Sequence, residues 1–418
     1  MQTQIPQNWQ KVKIENIVNV YGGGTPSTQE KSYWKGEIPW LTPAELTDYD
    51  GRSIAGTASY ITETGLKNSS ARLMPEESIL LTSRATIGNV AINTVPMATN
   101  QGFINIEPKE VDKDFFYYWL KGKRRYLNQI AIGSTFPELS KSVFKQIETI
   151  IPVNLNEQKH IASVLSAFDD KIEVNNKIAK TLEQMAQNIF KEWFVKFRFP
   201  GHEKVEFVDS ELGKVPKDWE VKKIKDIAKV NKGLSYSSKE ISEKSKGLPM
   251  INLANFQRGG GFNPSGTKFY TGKFKEANLV KPGDIIIAMT DLTSNREVIG
   301  HPARIPAYAR WDKILISLDV CSVNTVKVYI EFLYYLMLRK EFSYLMASSA
   351  GGTNVAHLSP KFIENYEFAL PDKDMLRKFQ NFITSIFQKK NLIEIENQKL
   401  AAMRDLLLPK LMRGEIRV

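Results

Sequence analysis

Polar side chains that can form two parallel hydrogen bonds gather near apolar stretches in the first half of the chain. Arg84 follows the apolar run in "SILL" (78–81), and Asn100 and Gln101 lie between two further strand-like stretches. Arginine can bind guanine, and asparagine or glutamine adenine, through such paired bonds, and loops on a rigid frame can carry them into a groove. This chemistry predicts contacts to DNA bases from Thr25, Ser27, Thr28, Arg84, Thr86, Asn100 and Gln101.

Each of these residues also has a plain structural interpretation. The segment "TPST" (25–28) is typical of turns and helix caps. Arg84 could form a surface salt bridge, and Asn100 and Gln101 could brace the fold. The sequence leaves both interpretations open.

The second half carries a matching but different set of polar residues. The segment "TSNRE" (293–297) follows the apolar "DIIIAM" (284–289), much as "SRAT" follows "SILL". Its alternative interpretation is an ordinary polar loop. The candidate DNA-binding residues here are Lys232, Ser235, Tyr236, Asn252, Asn255, Arg258, Thr290, Asn295 and Arg296.

A run of cations, "KGKRR" (121–125), predicts a different kind of contact. Lys123 and Arg124 are expected to hold phosphates rather than to read bases, because a bare cationic run carries charge and little shape. The chain has 57 Lys and Arg against 46 Asp and Glu, a net charge of +11. An acidic partner such as nucleic acid fits this balance, although a basic and inert surface would give the same count.

No catalytic, metal or cofactor site is predicted. One cysteine, Cys321, and four histidines cannot form the Cys/His cluster of a zinc site. An adenine methyltransferase needs an Asp- or Asn-Pro-Pro-aromatic loop, and the nearest segment, "FNPSG" (262–266), lacks the second proline. A lone cysteine fits a reducing cytosol. Without a signal-peptide pattern or an apolar run of about 18 residues, we expect a cytoplasmic protein that does not cross a membrane.

The segments expected to form the fold around these residues occur twice in the sequence. The segment "PELSKSVFKQIETIIP" (137–152) matches "AHLSPKFIENYEFALP" (356–371), and "PQNWQKVKIENIVNVYGGG" (6–24) matches "PKDWEVKKIKDIAKVNKGL" (216–234). The repeat predicts two globular domains that mix short strands and helices, each followed by a helix. The predicted boundaries are 1–152, a helix at 153–198, a linker at 199–215, 216–371, and a helix at 372–418.

Both predicted helices carry apolar residues at alternating spacings of four and three, which is a coiled-coil seam. An asparagine near the middle of each seam would fix the register of the pair. Antiparallel pairing is expected, because parallel pairing would require a connecting segment to run back along a whole helix. The seam residues are Ile161, Leu165, Phe168, Ile172, Asn175, Leu182 and Ile189 in the first helix, and Phe379, Ile383, Ile386, Ile393, Asn397, Leu400, Leu407 and Leu411 in the second.

Several segments together resemble the specificity subunits of type I restriction-modification enzymes, over essentially the whole chain. They are "LLTSRATIGNVAI" (80–92) followed by "NQGF" (100–103), "IPVNLNEQKHIASVL" (151–165) and "LLLPKLMRGEI" (406–416). The resemblance implies an α+β chain with two target recognition domains, separated by a long antiparallel two-helix coiled coil in a pseudo-twofold repeat. The second half departs from the pattern, since "LISLDV" (315–320) stands in place of "NQGF".

The resemblance also implies a function. Each globular domain would read one half of a bipartite double-stranded DNA site, and the helices would set the gap and dock two methyltransferase subunits. Partner subunits, including a restriction and translocase subunit, would carry out adenine methylation and restriction, so the chain itself would not be an enzyme. Two alternatives remain at this point: the recognition subunit of a type IIB-like enzyme, and a coiled-coil scaffold with two protein-binding heads.

Overall fold

The computed structural model describes residues 5–47, 49, 51–133, 137–243, 246–291, 296–306, 311–352 and 356–418. The chain forms two compact units, Met1–Asn176 with Glu396–Val418, and Lys177–Ile395. The boundary between them falls within the two long helices, so each unit contains a globular part and a portion of each helix. The five-segment division of the sequence remains a prediction.

The first unit and its long helix follow in chain order. The strands are β1 (Trp9–Lys13), β2 (Val18–Gly22), β3 (Trp34–Leu41), β4 (Ser53–Ile54), β5 (Ser59–Ile61), β6 (Ile79–Thr82), β7 (Val90–Asn93), β8 (Ala98–Thr99), β9 (Phe103–Pro108) and β10 (Glu148–Pro152). The helices are α1 (Ile14–Ile17), α2 (Glu63–Lys67), α3 (Lys113–Gln129), α4 (Lys141–Lys145) and α5 (Leu155–Phe190).

Three sheets form the globular part of the first unit. Five strands pair in the order β2-β9-β6-β7-β4, three in the order β5-β3-β8, and β1 pairs with β10. Strand β6 is buried along its whole length because it has a neighbour on each side and helix α3 packs on the sheet's core. A short continuous apolar run is the pattern typical of such a central strand. The end of β6 is therefore a rigid place from which to project a loop.

The second unit contributes the strands β11 (Phe207–Ser210), β12 (Gly213–Pro216), β13 (Glu220–Lys223), β14 (Ala228–Lys232), β15 (Ile241–Ser242), β16 (Leu248–Ile251), β17 (Lys268–Tyr270), β18 (Leu279–Val280), β19 (Ile285–Ala288), β20 (Thr290–Asp291), β21 (Pro302–Arg304), β22 (Ile314–Ile316), β23 (Val320–Thr325), β24 (Ala356–His357) and β25 (Glu367–Leu370). Its helices are α6 (Ile224–Ile227), α7 (Lys327–Met337), α8 (Lys340–Ser349) and α9 (Pro360–Glu364), and the chain continues into α10 (Lys373–Leu411).

The strand order repeats between the units. The set β14-β23-β19-β21 corresponds to β2-β9-β6-β7, and the pair β13 and β25 corresponds to β1 and β10. Strand β16 pairs in parallel with β22, as β3 does with β8. One difference stands out: the single helix α3 of the first unit has two helices, α7 and α8, as its counterpart. Arg339 separates the two helices: its backbone is extended, and it is the N-cap residue that precedes α8.

The long helices α5 and α10 pack together within each unit. In the first unit Asp169 of α5 bonds to Arg404 of α10, and Asn175 of α5 bonds to Asn397 of α10. Residues further along α5 thus pair with residues earlier in α10. In the second unit, Lys390 donates to Glu183 at 2.5 Å, and the rings of Phe190 and Phe379 pack edge to face. The pairing is therefore antiparallel, as predicted. Every residue of the predicted seam is buried or half-buried.

Candidate nucleic-acid interface

The turn at residues 83–86 leaves the buried strand β6 with a tight backbone conformation. The Thr86 N–H donates to the Arg84 carbonyl at 2.7 Å, and Ala85 between them has a φ of 60°. The buried hydroxyl of Thr82 donates to the Thr86 carbonyl at 2.5 Å and accepts from the Asn89 N–H at 3.0 Å. Backbone conformations of this kind are uncommon outside glycine and concentrate at functional sites. The turn holds the Arg84 side chain outward, whereas the Thr86 hydroxyl points into the fold, where it is buried.

Arg84 forms a surface salt bridge, as its structural interpretation predicted. Its Nη2 atom lies 3.0 Å from Oε2 of Glu138, with the two side chains 47% and 39% exposed. An ion pair this exposed contributes little to stability and opens easily. The guanidinium is thus oriented by Glu138 but remains accessible to another partner.

Arg84 lines a cleft of about 620 Å³ in the first unit. Gln101 lies in the same cleft, and the Thr25 hydroxyl donates a hydrogen bond to Gln101 Oε1. Lys141 and Lys145, on helix α4, also line the cleft. The cleft brings two of the predicted residues, Arg84 and Gln101, together with two lysines and Glu138, and Thr25 is tied to the cleft through Gln101.

The close approach of the loop after β2 depends on glycine. A Cβ atom on Gly23 would lie 1.9 Å from the Asn100 carbonyl oxygen, a distance that no side chain tolerates. This contact brings Thr25 beside Gln101. Ser27 and Thr28 follow on the same loop and are exposed. Asn100 is half-buried, and its Oδ1 accepts from the Gly102 N–H at 2.8 Å, so its side chain also braces the turn.

A cationic patch, Lys123, Arg124 and Arg125, lies on the C-terminal half of helix α3. All three side chains are exposed and have no carboxylate partner among the described residues. Asn128 fastens this part of the helix to the chain after the 83–86 turn, because its Nδ2 donates to the Ile87 carbonyl at 2.7 Å. The patch therefore flanks the turn that carries Arg84.

The corresponding turn of the second unit is built differently. Arg296 has a φ of 53°, and its Nη1 donates to the carbonyls of Ala347 and Ala350, at 2.6 and 3.2 Å, at the C-terminal end of α8. Asp291, which is buried, accepts from the N–H groups of Val298 and Ile299. Arg296 thus binds helix carbonyls. Asn295 lies outside the described residues.

Three further candidates of the second unit are buried. Asn255 Nδ2 donates to the Asn263 carbonyl at 2.8 Å, and Asn252 Nδ2 donates to the Gly266 carbonyl at 2.7 Å. The Thr290 hydroxyl donates to Asp319 Oδ1 at 3.0 Å. Because these polar groups are engaged inside the fold, a contact from any of them to DNA would require the surrounding loops to open.

The other candidates of the second unit are accessible. Lys232 and Ser235 are exposed, and the half-buried Tyr236 hydroxyl accepts from Lys268 Nζ at 2.9 Å. Arg258 is 77% exposed and lies 3.0 Å from Glu297. Sequence reasoning missed Lys268, and in the first unit it missed Glu138, Lys141 and Lys145. The last three lie in the repeated segment 137–152. They occupy polar positions between the apolar residues that match in the two repeats, and this placement could have identified them as surface candidates.

The "NEQKH" segment at the start of α5 joins the helix to the globular part of the first unit. Trp9 Nε1 donates to Glu157 Oε1 at 2.9 Å, and Gln158, which is buried, accepts from the Asp112 N–H at 2.8 Å. Further along α5, the Tyr118 hydroxyl donates to Asp169 at 2.7 Å. Burial and the nearby Asp169 carboxylate raise the pKa of Tyr118, so the hydroxyl keeps its proton and remains a donor. Helix α3 is fixed on α5 by this bond.

Within the described ranges no cluster of three or more His, Cys, Asp or Glu side chains is arranged to hold a metal ion. The same part of the chain contains no helix with the length and apolar character needed to cross a membrane.

Known proteins are similar to this chain in sequence or in fold. The family described as Type I restriction modification DNA specificity domain matches residues 6–184 and again residues 216–403. The type I restriction enzyme MjaIX specificity subunit of Methanocaldococcus jannaschii is 37% identical, covering 99% of this chain and 95% of that protein. The MjaVIII specificity subunit of the same organism is 25% identical, covering 99% and 94%. The crystal structure of an S subunit from M. genitalium matches with a TM-score of 0.54 at 18% identity, covering 98% of this chain and 97% of that one, a likeness of fold.

Proposed function

The chain belongs to the family of type I restriction-modification DNA specificity subunits, and on that premise we propose that each of its globular parts reads one half of a bipartite DNA site. Members of this family are non-catalytic subunits that recognise the DNA target of their complex, so the chain is not itself an enzyme. Membership removes the alternative of a scaffold with protein-binding heads. Both M. jannaschii relatives are named as type I subunits, which favours a type I complex over a type IIB-like one.

The observation that carries this proposal is the cleft of the first unit. Arg84 and Gln101 line this cleft, Thr25 bonds to Gln101, and the cationic patch lies beside the turn that carries Arg84. Side chains with paired donors read base edges, and flanking cations hold phosphates without regard to sequence. The polar and cationic side chains at this cleft suit contacts to base edges and phosphates.

The second unit supports the proposal in a different way. It repeats the strand order of the first unit but carries other polar residues near the ends of corresponding strands. A common frame with different side chains suits two domains that read different sequences. We propose DNA contacts from Thr25, Ser27, Thr28, Arg84, Asn100, Gln101, Lys123 and Arg124 in the first unit, and from Lys232, Ser235, Tyr236 and Arg258 in the second.

Partner subunits follow from the same proposal. DNA methyltransferase subunits, two in number, would dock on the long helices, whose pairing would also set the unread gap between the half-sites. A restriction and translocase subunit would complete the complex. The chain would act in the cytoplasm, where its DNA and its partners are found.

Selection from a randomised DNA library tests the proposal. The full-length chain, assembled with the methyltransferase subunits of its own system, is mixed with the library, and the bound DNA is separated by mobility shift and sequenced. The expected result is enrichment of two short fixed sequences at a constant separation. Enrichment of no sequence, with binding that depends only on salt, would contradict the proposal. A parallel assay with labelled S-adenosylmethionine and the chain alone should show no methyl transfer.

A further inference from the structure

One carboxylate, that of Glu138, lies among the cationic side chains of the cleft proposed to contact DNA. Glu138 lies in the same cleft as Lys141, Lys145 and Arg84. A negative charge facing DNA is repelled by phosphates, so it weakens binding unless it meets a hydrogen-bond donor on the DNA. The exocyclic amino group of cytosine in the major groove is such a donor, and it is the base group that Glu and Asp side chains accept from.

Glu138 is held in place by the backbone rather than by chance contact. Its N–H and carbonyl exchange hydrogen bonds with Ile132, at 2.9 and 3.0 Å. The next residue, Leu139, is buried and donates its N–H to the Ser83 carbonyl at 3.0 Å, immediately before Arg84. Two anchored backbone segments therefore present the carboxylate and the guanidinium side by side.

The spacing of these two groups matches one base pair. In the major groove a G·C pair offers the O6 and N7 acceptors of guanine next to the N4 donor of cytosine. O6 and N4 are joined by a Watson–Crick hydrogen bond, so they lie about 3 Å apart. The Arg84 Nη2 and Glu138 Oε2 atoms are 3.0 Å apart. A donor beside an acceptor on the protein thus faces an acceptor beside a donor on the DNA.

We propose that Arg84 and Glu138 together read a single G·C base pair, with Arg84 binding guanine O6 and N7 and Glu138 accepting from cytosine N4. This inference rests on the proposed DNA-reading function of the first unit and specifies one position of its half-site. In the free protein the two side chains pair with each other. Because the pair is exposed, the two groups can face a base pair together at this spacing. Any weakening of their mutual contact costs little, since such pairs are weak in water.

The test uses the full-length chain assembled with its methyltransferase subunits and compares four proteins by library selection. Arg84→Ala should reduce the preference for G·C at one position by roughly 5- to 150-fold. Glu138→Ala should reduce the preference at the same position by a smaller factor, and the other positions should be unchanged. Glu148→Ala is the matched control, because Glu148 also forms an exposed ion pair in the first unit, at 2.5 Å from Lys11. It should leave every preference intact.

Modified bases supply a second measurement, whose first readout uses the unaltered protein. N4-methylcytosine at the inferred position places a methyl group where Glu138 should accept, so binding by the unaltered protein should weaken. Glu138→Ala should lose most of this sensitivity, because alanine has no acceptor for cytosine N4. Replacement of the guanine by 7-deazaguanine removes N7 and should affect the unaltered protein but not Arg84→Ala.

Three outcomes would overturn the inference. Glu138→Ala could tighten binding to all sequences equally, which would make the carboxylate a source of repulsion only. The two variants could alter different positions, so that no single pair is shared. The unaltered protein could be indifferent to N4-methylcytosine at the position that Arg84 reads. A library selection that enriches no sequence with the unaltered protein would instead count against the proposed function itself.

Discussion

Asn175 of α5 donates a hydrogen bond from its Nδ2 to Oδ1 of Asn397 of α10, at 2.8 Å. Asn397 in turn donates to Asn176 Oδ1 at 2.9 Å. Asn175 is 1% exposed, so the pair lies within the packed seam of the first unit. Buried asparagines in a coiled coil lower its stability but specify one register, because only one alignment satisfies both amides.

Replacement of one member of this pair should cost more than replacement of both. Asn175→Leu leaves the Asn397 carbonyl oxygen without its donor, and we expect the free energy of unfolding to fall by about 1–3 kcal/mol. The double variant Asn175→Leu with Asn397→Leu should recover part of this loss through apolar packing. Urea unfolding of the single and double variants measures the difference. Additive effects would show that the two amides do not depend on each other.

Removal of Asp169 should destabilise the first unit. This carboxylate is buried and bonds to Arg404, whose side chain is 12% exposed, and to the Tyr118 hydroxyl. Asp169→Ala leaves the buried Tyr118 hydroxyl without its acceptor, while the Arg404 guanidinium keeps Asp405 as its carboxylate partner. We expect a loss of about 1–3 kcal/mol. Asp374→Ala is the control, because its pair with Arg377 is exposed and should contribute less than about 1 kcal/mol. Equal losses in thermal unfolding would contradict the assignment.

Cys321 should report the integrity of the second unit. It is the only cysteine in the chain, and burial in strand β23 raises the pKa of its thiol from 9.0 to about 12. A thiol reagent at pH 8 should therefore react slowly with the folded protein and rapidly after unfolding in guanidinium. Equal rates in the two states would show that the strand is not packed as described.

The same shift in pKa predicts a loss of stability at high pH. The unfolded thiol ionises above pH 9 while the folded thiol keeps its proton, so the unfolded state is favoured progressively between about pH 9 and 12. Cys321→Ala should make the fall in unfolding free energy over this range less steep. Comparison of slopes, rather than of absolute stabilities, removes the effect of the small cavity left by alanine.

The sequence predicted the frame of this protein well because the frame depends on periodic apolar residues. The repeated segments 6–24 and 216–234 correspond to equivalent strands in the two units, and the four-three spacing of apolar residues predicted α5 and α10. The way the chain connects the two helices predicted their antiparallel pairing. The resemblance to specificity subunits is confirmed by the family match over both halves. Periodicity reflects burial, and burial is what a sequence pattern records most directly.

The side chains of the loops were less predictable, because their partners are set by contacts distant in sequence. Arg84 and Arg296 follow similar apolar runs, yet one pairs with Glu138 and the other with the carbonyls of α8. Asn252 and Asn255 have the amides expected of base readers, and both are buried. Nothing periodic in the sequence distinguishes an amide that braces a loop from one that faces a ligand.

Replacement of Arg296 should therefore lower the stability of the protein more than replacement of Arg84. Arg296→Ala removes two hydrogen bonds to the carbonyl end of α8, and we expect the free energy of unfolding to fall by about 1–3 kcal/mol. Arg84→Ala removes only an exposed ion pair, so its stability should stay within about 1 kcal/mol of the unaltered protein. Thermal unfolding of the two variants decides the matter. If Arg84→Ala proved the less stable, the contrast drawn from their contacts would be wrong.

The cationic patch should affect all DNA alike. Lys123 is exposed on α3 and has no carboxylate partner among the residues that the structure describes, so it is free to hold a phosphate. Lys123→Ala in the assembled complex should weaken binding to specific and unrelated DNA by the same factor. It should also reduce the slope of log K against log salt by about 0.9, the contribution of one phosphate contact. Lys109→Ala, an exposed lysine just before the opposite end of α3, should change neither. A Lys123→Ala loss confined to one base position would mean that this lysine reads a base edge, because a phosphate contact carries no sequence information.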